Sequence, residues 1–156
     1  MLTFYIDGQS VGNEKIGSPR KAKLVIAFRP EIRAAETTPR ILSEDIGDRT
    51  NNEAEYDALL RLLSILSAGT GADRRTEGGV RIYSDSEVLV KQLNGEYKVR
   101  EDRLRELRDS ARKLMKELGS IHVEKVPREE NLAGLWLEGK IAGRKVKPDE
   151  FLLGLQ

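Results

Sequence analysis

Cysteine is missing from all 156 residues, and that one absence excludes a disulfide framework, thiolate catalysis and cysteine-ligated zinc together. An intracellular, cytoplasmic protein is expected. Histidine occurs once, at His122, on an alternating pattern that predicts a half-buried structural position in a strand, with no catalytic role. No apolar run is long enough to span a bilayer, and residues 1–7 already read as a strand ending in a charge rather than as a secretion signal. No membrane association is expected. A surplus of charge is lacking too: 27 Lys and Arg against 26 Asp and Glu leave +1, so overall basicity announces no nucleic-acid partner. There is no low-complexity segment, and the length suits one domain that buries its own core without staples.

Several strand and helix patterns are present. Residues 2–7 are apolar and aromatic and stop at Asp7-Gly8, a predicted turn, with a loop over 8–21. Lys23–Phe28 and Ile41–Gly47 continue an antiparallel meander, punctuated by Pro30 and Pro39. A helix follows from Asn51 and is ended by Gly69-Thr70-Gly71. Next come a strand at Val80–Ser84, a short helix at Ser86–Leu93 and a turn at Asn94-Gly95. A helix over 101–118 has an apolar seam at Leu104, Leu107, Ala111, Leu114 and Leu118. A strand at Ile121–Val126 and a last helix at Glu130–Gly139 complete the body. The expected architecture is α/β: a five-stranded mixed sheet, three strands antiparallel and then two parallel, flanked by helices. Residues 1–140 form the domain, and 141–156 form a tail that docks on it or joins a partner.

One residue breaks the pattern. Winding 50–68 at 3.6 residues per turn aligns Leu59, Leu62 and Leu66 in a stripe flanked by Ala58, Leu63 and Ile65, and Glu55 falls inside that arc. Glu53 falls on the opposite face, where Thr50-x-x-Glu53 has the spacing of a capping box. A carboxylate in a core-facing stripe must be paired, protonated or metal-bound, because an isolated buried charge costs many kcal/mol. Tyr5-Ile6-Asp7-Gly8 and Tyr83-Ser84-Asp85-Ser86 both place Asp two residues after Tyr. If the two strands are parallel neighbours in a βαβ unit, Asp7 and Asp85 lie side by side at their C-terminal ends. Taken singly, Asp7 reads as a turn former and Asp85 as a helix N-cap. Together with Glu55 they form an all-oxygen cluster suited to Mg²⁺ or Mn²⁺, and a pair of such ions activates water and steadies both oxygens of a cleaved phosphodiester.

The element order and Asp7-Gly8, Thr50-Asn51-Asn52-x-x-Glu55, Tyr83-Ser84-Asp85-Ser86 and Val126-Pro127-Arg128-Glu129-Glu130-Asn131 resemble the ribonuclease H family over residues 2 to about 138. The resemblance implies cleavage of the RNA strand of an RNA–DNA hybrid with Mg²⁺ or Mn²⁺, two ions being bound with substrate. It aligns Asp7, Glu55 and Asp85 with three of the family's four metal-binding carboxylates, and Gly8, Asn13, Asn52 and Ser86 with positions that contact the hybrid. Three features depart from the family. The fourth carboxylate is replaced by Gly134, the loop before Asn131 has no histidine, and no tryptophan-rich basic protrusion lies between Leu93 and Leu104, which leaves grip to Lys91, Lys98, Arg100 and Arg103. Glu138, one helical turn beyond Gly134 and leaning back toward it, is the candidate fourth catalytic and metal-binding carboxylate. It otherwise faces water, with Asp149 and Glu150 as alternatives. A non-catalytic hybrid-binding module that lost cleavage with that carboxylate is the competing function, and a scaffold for the helix over 101–118 and the tail is a third. The expected partner is the hybrid, bound by a monomer or a tail-mediated homodimer.

Overall fold

The structure, a computed structural model, describes residues 1–12, 19–30, 38–68 and 78–152. Asn13, the Gly69-Thr70-Gly71 helix stop, and Leu153 and Leu155 of the tail lie outside them.

Strand β1 (Leu2–Val11) is the centre of the sheet and is longer than expected. It does not turn at Gly8, because β2 (Lys21–Phe28) pairs with it antiparallel from Phe4↔Phe28 to Val11↔Lys21. β3 (Arg40–Gly47) extends the meander. On the other side of β1, β4 (Val80–Ser84) runs parallel, with Tyr5 opposite Tyr83, and β5 (Ile121–Lys125) runs parallel to β4. The sheet has six strands in the order β5-β4-β1-β2-β3-β6, one more than expected. The addition, β6, is only Arg144–Lys145, paired parallel to Arg40 and Ile41, and two exposed basic residues carry no alternation by which to recognise a strand.

Helix α1 (Asn51–Ser67) lies on β1 and β2 with Leu59, Leu62, Leu63 and Leu66 fully buried. A short α2 (Glu87–Leu93) follows β4, and α3 (Asp102–Leu118) packs beside α1 through Leu104, Leu107 and Ala111. These helices close one apolar core around Phe4, Ile6, Ile26 and Ile82. The opposite face is thinner: α4 (Leu132–Leu137) sets Ala133 and Trp136 against Val25, Ala27, Ile41 and Tyr5. Helix α4 is shorter than the predicted 130–139 because Asn131 caps it, its Oδ1 accepting from the N–H groups of Ala133 and Gly134, after a 3₁₀ turn at Arg128–Glu130. His122 is exposed rather than half-buried, since β5 is an edge strand.

The segment after Lys140 adds to the same core. Phe151 is fully buried, its ring 6.0 Å from Phe4 and 5.9 Å from Phe28, and Arg40 Nη1 donates to its carbonyl at 3.2 Å.

Candidate metal centre

The parallel register sets Tyr5 beside Tyr83, so Asp7 and Asp85 each lie two residues beyond a matched pair. Glu55 reaches them from α1. One carboxylate oxygen of each residue lies within 4.8 Å of the other two. The approach of α1 depends on Gly8: a Cβ there would lie 2.3 Å from the Ala54 carbonyl carbon and 2.4 Å from the Glu55 nitrogen. The glycine therefore serves close backbone approach, not a turn. Glu53 faces away and completes the capping box, Thr50 Oγ1 accepting from Glu53 N at 3.1 Å and Glu53 Oε1 accepting from Thr50 N at 3.0 Å.

Glu55 is 8% exposed, and its Oε2 is buried without a hydrogen-bond partner among the described residues. Burial, then the charge of Asp7 and a hydrogen bond shared with it, and the charge of Asp85, hold its carboxyl well above the usual range; a backbone hydrogen bond from Gly8 only partly opposes them. Burial likewise raises Asp7, despite the opposing Arg128 guanidinium. Asp85 is not the cap of α2. Ser86 takes that role, its Oγ accepting from Leu89 N at 3.2 Å, and the Asp85 carboxylate is free to face the cluster.

A cation already enters the cluster from the chain itself. Arg128 Nη1 donates to Asp7 Oδ2 at 2.8 Å and to Asp85 Oδ2 at 2.9 Å, while its Nε donates to Glu138 Oε1 at 2.9 Å. Partial burial works against its charge, but the hydrogen bonds to Asp85, Glu138 and Asp7 more than offset this and raise its pKa further. Glu138 does not join the three carboxylates. It is held between Lys140, at 2.9 Å, and Arg128, which together keep its pKa low. The space above Gly134 into which Glu138 was expected to lean contains the guanidinium. Asn131, fully buried, donates from Nδ2 to Ile6 O at 2.9 Å and to Asp85 Oδ2 at 2.8 Å, which ties α4 to β1 and to the cluster.

A family profile described as reverse transcriptase-like matches residues 42–137, more than half of the chain. The chain belongs to the ribonuclease H family. Ribonuclease HI of Halobacterium salinarum is 35% identical over 88 residues, a match that spans 56% of this chain and 41% of the relative's own length. The structural likeness to ribonucleases H is broader. LC11-RNase H1, isolated from compost and solved with an RNA/DNA hybrid, is 29% identical with a TM-score of 0.66, covering 85% of this chain and 89% of that one. RNase H1 of Halobacterium salinarum NRC-1 is 28% identical with a TM-score of 0.61, covering 88% and 98%.

Of the hybrid-contacting positions that the ribonuclease H resemblance implies, Asn52 is exposed in the first turn of α1. Gly8 lies under α1, and Ser86 caps α2. Asn51, the neighbour of Asn52, is engaged, accepting from Ser10 N at 2.7 Å. Lys98 and Arg100 are exposed, whereas Lys91 pairs with Glu87 and lies over the Tyr97 ring, and Arg103 pairs with Glu53. Sequence reasoning assigned no role to Arg128 or Asn131. For Arg128 the missing side chain at Gly134 matters only in space, where it leaves room for the guanidinium.

The state of Glu55 predicts how the metal-free protein responds to its removal. A raised folded-state pKa means that the residue's stability is fully present below the ordinary value near 4.5 and is lost as pH rises through the folded value. In chelator at pH 8, Glu55→Gln is expected to melt above the wild type, with the gap closing toward about pH 4. Calorimetric melts across pH check this. A variant that melts well below the wild type at pH 8 would make Glu55 a structural ion-pair partner instead.

Proposed function

We propose that this member of the ribonuclease H family hydrolyses the RNA strand of RNA–DNA hybrids, with Mg²⁺ or Mn²⁺ held by Asp7, Glu55 and Asp85. The observation that carries the reading is Glu55 Oε2, a buried carboxylate oxygen with no partner among the described residues, beside two further carboxylates. An all-oxygen donor set of this kind suits a hard divalent cation, and the residues present fit one. Such a cation, when bound, lowers the pKa of water and steadies negative charge on a phosphodiester. The chain's own residues do the rest. Asn131 fixes the Asp85 carboxylate, and Gly8, buried beneath α1 and so not itself a hybrid contact, admits the helix so that Glu55 reaches Asp7. Asn52 and Ser86 are left to meet the hybrid, where contacts to 2′-hydroxyls separate RNA from DNA. Among the described residues no helix is long and apolar enough to cross a membrane, and the lack of cysteine favours the cytoplasm. Phe151 and Leu152 are committed to the chain's own core, which favours a monomer over a tail-mediated dimer.

Gly134 and the arginine seated beside it favour one other reading, a module that binds hybrid without cutting it. A labelled hybrid incubated with Mg²⁺, Mn²⁺ or chelator separates the two. Metal-dependent cleavage of the RNA strand alone is expected, with single-stranded RNA and duplex DNA left intact. Retention of an uncut hybrid in every condition would establish the binding module.

A further inference from the structure

Gly134 and Arg128 make a lock-and-key pair within the chain. A Cβ on residue 134 would lie 2.5 Å from Arg128 Nη1 and 2.6 Å from its Cζ, so the guanidinium can occupy its seat only because the side chain there is absent. From that seat Nη1 bonds one oxygen of Asp7 and one of Asp85, the oxygens a cation on this side would need. Glu138, braced by Lys140, holds the Nε edge from outside. Glu55 accepts no hydrogen bond from Arg128, and its Oε2, buried and without a partner among the described residues, is the oxygen of the cluster that the guanidinium leaves uncompensated. Charge points the same way. Three ionised carboxylates and one guanidinium leave two negative charges, which a single divalent cation neutralises, whereas a second would place surplus positive charge in a confined site.

We propose that Arg128 stands in for one of the two metal ions that the family resemblance implies. The site takes a single divalent cation, on the Glu55 side of Asp7 and Asp85, and the guanidinium is a fixed second positive charge beside it. Arg128 is 40% exposed, and its Nη2 makes no hydrogen bond to any of the described residues, so a planar donor remains to meet a phosphate oxygen of the hybrid. The phosphate contact rests on the hydrolase reading above; the ion count does not.

Calorimetric titration with Mn²⁺ tests the count, both on the protein alone and on its complex with a hybrid whose RNA strand carries non-hydrolysable phosphonate linkages. One ion per chain is expected in both. Arg128→Ala should bind that ion roughly tenfold more tightly, because a competing charge has gone, and should turn over hybrid roughly a hundredfold more slowly at saturating Mn²⁺. The double variant Arg128→Ala, Gly134→Asp should bind two ions. Two ions in the wild-type complex, or unchanged affinity and turnover in Arg128→Ala, would overturn the proposal. The wild-type count requires no variant to fold. A protein that binds one ion but cuts no hybrid would sink the hydrolase reading and leave the single-ion site standing.

Discussion

Asp85→Asn is expected to lower hybrid cleavage by about three orders of magnitude at saturating Mg²⁺, which corresponds to about 4 kcal/mol of lost charge stabilisation. Folding should barely change. The substituted amide keeps an oxygen that can accept from Asn131 Nδ2 and Arg128 Nη1, and the helix cap belongs to Ser86, so no backbone group is orphaned. The weakened ion pair involves a half-exposed guanidinium that still holds Asp7 and Glu138, and is worth at most about 1 kcal/mol. The variant to compare is Glu53→Gln, two residues from Glu55 and on the capping face, which should cut hybrid within a few-fold of the wild type. Rates on labelled hybrid and melting curves for both proteins check this. Near-normal turnover in Asp85→Asn would remove Asp85 from the site, and a dead Glu53→Gln would mean that the wrong glutamate faces the metal.

The largest stability effect should come from the smallest change, Gly8→Ala. The added methyl would meet the Ala54 carbonyl carbon at 2.3 Å and its oxygen at 2.5 Å, and both are backbone, so no side chain can swing aside. Overpacking of a side chain costs about 1–3 kcal/mol. Here a helix must lift from a sheet, so a loss of at least about 3 kcal/mol is expected, a fall of roughly 6–12 °C for a chain of this size. Lifting α1 also carries Glu55 away from Asp7, so Mn²⁺ affinity should fall with stability. Thermal melts with and without Mn²⁺ read both effects. A melting point within 2 °C of the wild type would show that α1 slides on β1 freely, and would detach Gly8 from the geometry of the site.

Glu55 was legible in the sequence because a charge inside a leucine stripe violates the period that governs its neighbours. The pairing of Asp7 with Asp85 was legible because both follow a tyrosine by two residues, and the strands pair with those tyrosines opposed. Arg128 was not, being one of 27 basic residues until the emptiness of Gly134 is seen in space. The extension of β1 through Gly8 to Val11 was hidden for a related reason. Glycine after aspartate signals a turn locally, and only the nearness of α1 reveals that the same residue serves a packing need. Residues Arg144–Lys145 form a strand through pairing with β3 alone, a non-local cause that no window of sequence contains.

Phe151 sets a timetable. Its ring completes the wall around Phe4 and Phe28, partners that are separated from it by more than a hundred residues of chain. A chain emerging from the ribosome can pair β1 with β2 and β3 and lay α1 on them early, yet the part of that face around Phe4 and Phe28 stays uncovered until residue 151 has been made. Contacts of such sequence separation close slowly, because loop entropy must be overcome before they return any stability. Nascent or nicked forms that lack this residue would carry an exposed aromatic patch, which makes them the forms most prone to clump together and most readily taken up by chaperones.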